Sequence, residues 1–374
     1  MKKEKFTLYQ KVGITLANEN LSNAKRAKND EFYTQWIDIE KEINAYLEYN
    51  PDVFRGKIIL LPCDDPEWSN FTKYFAQNFM NFGLKKLIST SYAYESKQLG
   101  LTQQLTLFEK GSPKFDKNKS KVNGKIFTLE ANEVNDTVNI NNLRFDYLSG
   151  DGDFRSDEVK KLRDEADIII TNPPFSLFRE FLSWIVDANK QFCIIGNMNA
   201  ITYKEVFPLI SSNKMWLGNG FQSGNAFFDT PFAQNYGQGV LQENGLVKFR
   251  NVNWFTNIDH GRRHQPLQLM SKKDNLKFNN HKEKITYPKY DNYNAIEVSF
   301  TDAIPSDYIG VMGVPISFLD KYNPEQFEIV GFRKGNDGKD LVYTLNDSNT
   351  LKKVQPYFRI LIKHINHNSK VDDD

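Results

Sequence analysis

Asn172-Pro173-Pro174-Phe175 is the stretch whose residue types and order could do chemistry. Two consecutive prolines fix φ at both positions and remove both backbone donors, so the carbonyls of Asn172 and Pro173 can face outward as acceptors. An Asn side-chain oxygen beside such a carbonyl places two acceptors side by side, which suits an exocyclic amino group carrying two hydrogens. Phe175 adds a flat face next to them. Taken alone, the tetrapeptide also reads as an ordinary Pro-Pro turn, so its flanks decide.

Those flanks are a strand and a helix. Asp167 to Thr171 is rich in β-branched residues and predicts a buried strand, and Phe178 to Val186 predicts a helix rich in aromatic and apolar residues. The same rhythm precedes it. Lys57-Ile58-Ile59-Leu60-Leu61 runs into Pro62-Cys63-Asp64-Asp65-Pro66, followed by a helical pattern from Ser69 to Met80 and a second strand from Lys86 to Tyr92. A βαβ unit keeps its ligand crevice beyond the carboxyl ends of its strands, so Asp64 and Asp65 stand where a ligand would sit, with helix capping as their competing role. Gln191 to Asn199 predicts a further strand ending in polar and small residues. The acidic turn from Phe145 to Ser156 lacks the closing Glu of a calcium-binding EF-hand, and Asp153 with Phe154 beside it fits an adenine-ring contact better. Four strands thus deliver Asp64, Asp153, Asn172 and Asn197 to one rim.

The remaining chain bounds the class of protein. With 374 residues and 40% hydrophobic content it can bury a large core as one large domain or two ordinary ones. The net charge is only +1, so contact with nucleic acid must rest on local clusters of Lys and Arg. Cys63 and Cys193 make neither a disulfide framework nor a metal-ligand set; no metal is expected, and a reducing cytosol suits them. The basic start Met1-Lys2-Lys3-Glu4-Lys5 is not followed by an apolar signal core, and no apolar run approaches membrane-spanning length, so the expected location is the cytoplasm.

Residues 1–29 read as a mobile basic arm, with Lys25, Arg26 and Lys28 together, and Asp30 or Thr34 could cap the helix that follows. Residues from about 95 to 144 lose the strand-helix rhythm and read as an insertion carrying a hairpin, without visible chemistry. Beyond about 213 the alternation fades, and Arg262, Arg263, His264, Lys272, Lys273, Lys282, Lys284 and Lys289 interleave with Tyr290 and Tyr293, as in a groove for nucleic acid. The expected organisation is an arm to residue 29, a catalytic domain over 30–213 and a target-recognition region over 214–374.

With these runs assembled, the sequence resembles the EcoRI-type, S-adenosylmethionine-dependent, adenine-specific DNA methyltransferases. The likeness is carried by Asp30-Glu31-Phe32-Tyr33-Thr34-Gln35, Cys63-Asp64-Asp65-Pro66, Gly152-Asp153-Phe154-Arg155-Ser156, Asn172 to Glu180, Ile201 to Phe207, Tyr287 to Tyr293, Gly310 to Pro315 and Pro356 to Lys363. It implies an α/β, Rossmann-like methyltransferase fold, a seven-stranded mostly parallel sheet with a C-terminal target-recognition region, in a monomer. It further implies that Phe32, Tyr33, Thr34, Cys63, Asp64, Asp153, Phe154 and Asn172 hold S-adenosylmethionine, with S-adenosylhomocysteine as product. The catalytic set is Asn172, Pro173 and Phe175, acting on an adenine flipped out of double-stranded DNA in a restriction-modification system. Cys63 has no nucleophilic part in such a reaction. The rival readings are an Asn-Pro-Pro-aromatic methyltransferase acting on RNA or protein glutamine, and a DNA-binding module that has lost catalysis.

Overall fold

The computed structural model describes residues 32–93, 116, 118–133, 138, 145–221, 224–230, 233–278, 281, 285–347 and 350–365. The expectations for the arm, for Asp30 and Glu31, for most of 95–144 and for Lys282 and Lys284 lie outside these residues. The described chain divides into two compact units. The first takes the residues up to Phe207 together with Leu217–Ile258, and the second takes Pro208–Trp216 and the residues from Asp259 onward.

The first unit opens with a two-residue strand, β1 (Tyr33–Thr34), and helix α1 (Trp36–Tyr49). Thr34 does not cap α1: Gln35 occupies the N-cap without a side-chain cap bond, and Thr34 is committed to β1. Ile39, Ile43 and Tyr46 recur at helical spacing and are buried as one stripe. Then come β2 (Ile58–Leu61), α2 (Asn70–Gln77), β3 (Lys86–Thr90), β4 (Lys125–Glu130), β5 (Asp146–Tyr147), α3 (Asp157–Glu165), β6 (Ile168–Thr171), α4 (Phe178–Asp187), β7 (Gln191–Asn197), β8 (Trp216–Leu217), β9 (Asn225–Asp229), β10 (Val247–Arg250) and β11 (Val252–Thr256).

The main sheet has the order β5-β4-β3-β2-β6-β7-β11-β8. It therefore has eight strands where seven are expected, and its parallel pairings are confined to the centre, β3-β2-β6-β7. All four residues of β2 and of β6 are buried, which is what a parallel strand covered on both faces requires and why their sequences are unbroken apolar runs. The extra breadth comes from two segments placed elsewhere by sequence. Lys125–Glu130, inside the expected insertion, is β4 and pairs antiparallel with β3. Val252–Thr256, past the expected domain boundary at 213, is β11, wholly buried and antiparallel to β7. A second sheet of three strands, β1-β9-β10, runs antiparallel throughout.

The second unit holds β12 (Ala295–Glu297), β13 (Val311–Pro315), β14 (Phe327–Phe332), β15 (Tyr343–Asp347), β16 (Thr350–Val354) and β17 (Arg359–His364). β12-β13-β17-β14 form one sheet and β15-β16 a hairpin. Buried Glu297 is held there by Arg359 and by the Tyr290 hydroxyl. Among the described residues no helix is long and apolar enough to cross a membrane.

Candidate active site

Because β2, β3, β6 and β7 are parallel, their carboxyl ends open at one edge, and the loops leaving that edge carry the candidate residues. Asn172 follows β6 directly. Its amide nitrogen donates to the Phe32 carbonyl at 2.7 Å, and that bond decides which way the carboxamide faces. The oxygen, Oδ1, is left buried without any hydrogen-bond partner. A buried acceptor with nothing to accept costs on the order of 1–3 kcal/mol, and this one is kept in a fixed direction with its capacity open. The next residues behave as their prolines dictate: the Pro174 carbonyl closes a turn with the Leu177 amide at 2.9 Å, while the Pro173 carbonyl accepts no hydrogen bond from the described residues.

Phe175 is half-buried and lies stacked on Phe32, ring centroids 5.7 Å apart and planes 25° from parallel. The small sheet supplies the rest of the surround. Phe228 from β9 and Phe249 from β10 stand edge-on to Phe175, each at 6.2 Å, and Phe249 and Tyr236 also face Phe32. Phe32 therefore serves the Asn172 loop twice, through its carbonyl and through its ring. Phe228 and Phe249 were not singled out by sequence; the alternation around Val247–Phe255 was visible, but nothing local ties it to residue 175.

The loop after β2 differs in kind. Asp64 is buried and both its carboxylate oxygens are engaged, Oδ1 by the Ser69 hydroxyl and Oδ2 by the Thr171 hydroxyl, each at 2.6 Å. Burial pushes its carboxyl up to about 7, against the lowering effect of those two hydroxyls. Ser69 in turn caps α2 by accepting from the Phe71 amide. Asp64 is thus turned into the fold, bracing the end of β2 against the residue preceding Asn172. Asp65 caps as well, its Oδ1 accepting from the amides of Glu67 and Trp68, while its Oδ2 pairs with Lys125 at 3.1 Å. Lys125, in a segment without visible chemistry in the sequence, also pairs with Glu67 at 2.9 Å. Cys63, in the same loop, is half-buried and not in a disulfide. Thr34 is buried, with its carbonyl bound by Asn70 and its hydroxyl oxygen without a partner. Tyr33 is half-buried.

Asp153 reaches the same edge. The Asp151 carbonyl accepts from the Ala93 amide just past β3, and a side chain at Gly152, with φ +81°, would meet the Ser91 carbonyl at 2.2 Å. Asp153 itself is partly exposed and held by Arg155, whose guanidinium pairs with both oxygens. Phe154 beside it is buried edge-on against Phe181 and Trp184 of α4. Asn197 is likewise occupied, accepting from the Asn199 amide as a cap.

In the second unit several members of the expected basic groove are structural. Arg263 is buried over the Trp216 ring at 3.6 Å and pairs with Asp259, His264 lies between Asp259 and Glu325, and Tyr290 is buried. Lys273 and Lys289 are exposed.

An open amide oxygen beside an aromatic face is an arrangement that can accept a hydrogen bond from a planar amino group. The chain belongs to the family described as adenine-specific methyltransferase EcoRI, which matches residues 20–365. It is 45% identical over 351 residues to the Type II methyltransferase M.EcoRI of Escherichia coli, covering 93% of this chain and 97% of that protein. Type II methyltransferase M.MpnI of Mycoplasma pneumoniae is 33% identical over 318 residues (83% of this chain, 84% of that one), and M.MgeORF184P of Mycoplasma genitalium is 34% identical over 316 (83% and 85%). No solved structure matches the chain.

Proposed function

We propose that this enzyme is a restriction-modification methyltransferase that transfers a methyl group from S-adenosylmethionine to the exocyclic nitrogen of an adenine rotated out of duplex DNA. The observation that carries the reading is Asn172 Oδ1, buried, unpartnered and fixed in direction by the Phe32 carbonyl. Adenine presents an amino group with two hydrogens, and its nitrogen cannot be approached by a methyl donor while the base is stacked and paired. Asn172 Oδ1 accepts one of those hydrogens and the Pro173 carbonyl the other. Both bonds favour a pyramidal nitrogen whose lone pair points away from the two acceptors. Phe175, backed by Phe32, gives the ring a face to stack on. Positioning and aimed acceptors carry the rate, with no covalent enzyme intermediate.

S-adenosylmethionine, when bound, supplies an electrophilic sulfonium methyl. The residues at the rim fit such a group: the Thr34 hydroxyl oxygen is buried with no partner, and the Asp153 carboxylate is partly exposed and oriented by Arg155. Tyr33, Cys63, Phe154 beside Asp153, and the backbone of the β2 loop complete the proposed holding set. Asp64 enters it as the brace of that loop and Phe32 as the support of Asn172. The second unit, with exposed Lys273 and Lys289, is proposed as the DNA-reading region.

Incubation with tritiated S-adenosylmethionine and, in parallel, duplex DNA, RNA and protein tests this reading. Label is expected in duplex DNA and recovered as N6-methyladenine on digestion. Label confined to RNA or protein, or none in DNA, overturns it.

A further inference from the structure

Lys125 is nearly buried, its side chain only 10% exposed, at the start of β4. Its ammonium bridges the carboxylates of Asp65 and Glu67, both on the turn that leads from β2 into α2. The ammonium also stands over the Phe145 ring, 4.9 Å from its centre. Its carbonyl accepts from the Ser91 amide, just past the end of β3. One residue therefore ties the loop of β2, the end of β3 and the strand β4 together at the edge where the candidate site opens. The turn it grips is otherwise braced from the opposite side, where Asp64 reaches Ser69 and Thr171. Lys73, half-buried and also within the field of Asp65 and Glu67, makes its own bond to the Trp68 carbonyl at 3.4 Å and does not bridge the two acids.

A nearly buried ammonium between two carboxylates adds little if stability is its only use, since apolar groups of similar volume often serve as well or better. What such a bridge supplies is geometry: it fixes Asp65 and Glu67 relative to β4, and with them the backbone of Cys63 and Asp64. We propose that Lys125 is a positioning residue for S-adenosylmethionine, acting through Asp65 and Glu67 to hold the Pro62–Pro66 loop in its binding form. This rests on the assignment of that loop to the cofactor.

Removing Lys125 alone takes the bridging cation from two largely buried acids and could unfold the protein, so the decisive variant is the charge-free triple Lys125→Met, Asp65→Asn, Glu67→Gln. It keeps volume, and the carboxamide introduced by Asp65→Asn still offers an oxygen to the amides of Glu67 and Trp68. Calorimetric titration with S-adenosylhomocysteine is expected to show affinity lowered about tenfold, by analogy with the loss of outer-shell partners at other sites, while the thermal midpoint and the affinity for duplex DNA stay near those of the parent. Lys125→Arg, which keeps the charge bridge, is expected to retain most of the affinity. Unchanged affinity in the triple variant overturns the inference, as does a loss in Lys125→Arg equal to that in the triple variant. Failure of the parent protein itself to bind S-adenosylhomocysteine overturns the cofactor assignment, and this inference with it.

Discussion

The loops that follow β2 and β6 leave neighbouring parallel strands at the same edge, and each places a polar side chain beyond it. At Asn172 one half of the amide is used to fix direction and the other half is left open. At Asp64 every oxygen is used within the protein. The two are joined, because Thr171, which satisfies Asp64, is the residue before Asn172. On the proposed function the open oxygen of Asn172 is the clamp and the filled carboxylate of Asp64 its brace, so there the neutral amide and not the charge meets the substrate.

The largest effect expected from this contrast is at the open acceptor. Asn172→Ala removes Oδ1 and should lower methyl transfer by a factor of roughly a hundred or more, the range seen on losing one preorganised polar group; the bond from its amide nitrogen to the Phe32 carbonyl goes with it, so stability should fall by about 0.5–1.5 kcal/mol, the usual worth of one hydrogen bond and too little to unfold the chain. Single-turnover transfer to duplex DNA measures it, and full activity would erase the distinction. Next in size is the pH response of the brace. The Asp64 carboxyl is raised to about 7 from its ordinary value of 3.8, so between these pH values the folded state binds more protons than the unfolded state. Stability then falls as pH rises through that window and levels off above it, by on the order of a few kcal/mol. Asp64→Asn removes the group, so the stability of the parent measured against that variant should decline from about pH 4 to about pH 7; a difference that stays flat would show that Asp64 is not the buried acid described above.

Much of this contrast was legible in the sequence, for a physical reason. A buried parallel strand writes itself as an unbroken apolar run, and the loop after it is read by adjacency, so Asn172, Asp64 and the edge they share follow from local pattern. What stayed hidden depends on partners distant in sequence. Lys125 meets Asp65 across 60 positions, and nothing around Lys125 announces it. Tyr33–Thr34 is too short a strand to show a period, so the small sheet that brings Phe228 and Phe249 to Phe175 could not be seen forming. Nor does anything around Phe154 announce the edge-on contact that it makes with Phe181 of α4. Arg263 reads as a groove cation until Trp216 covers it.

Two smaller effects sharpen the comparison. Phe175→Ala should weaken the hold on the rotated base by about 1–3 kcal/mol, the usual worth of one base on one aromatic ring, read as a loss of affinity for DNA with a mismatched target adenine that is not seen on DNA abasic at that position. Ser69→Ala should cost less, about 1 kcal/mol of stability, because it removes one cap of α2 and one of the two donors to Asp64. Since Thr171 still holds the other Asp64 oxygen, the Asn172 loop should keep its place and the rate of methyl transfer by the folded variant should be nearly that of the parent. Chemical denaturation measures the first quantity and single-turnover kinetics the second. If Ser69→Ala instead lowered the rate as far as Asn172→Ala does, the β2 loop would be taking part in the chemistry rather than bracing it, and filled and open hydrogen bonds would no longer separate the two roles.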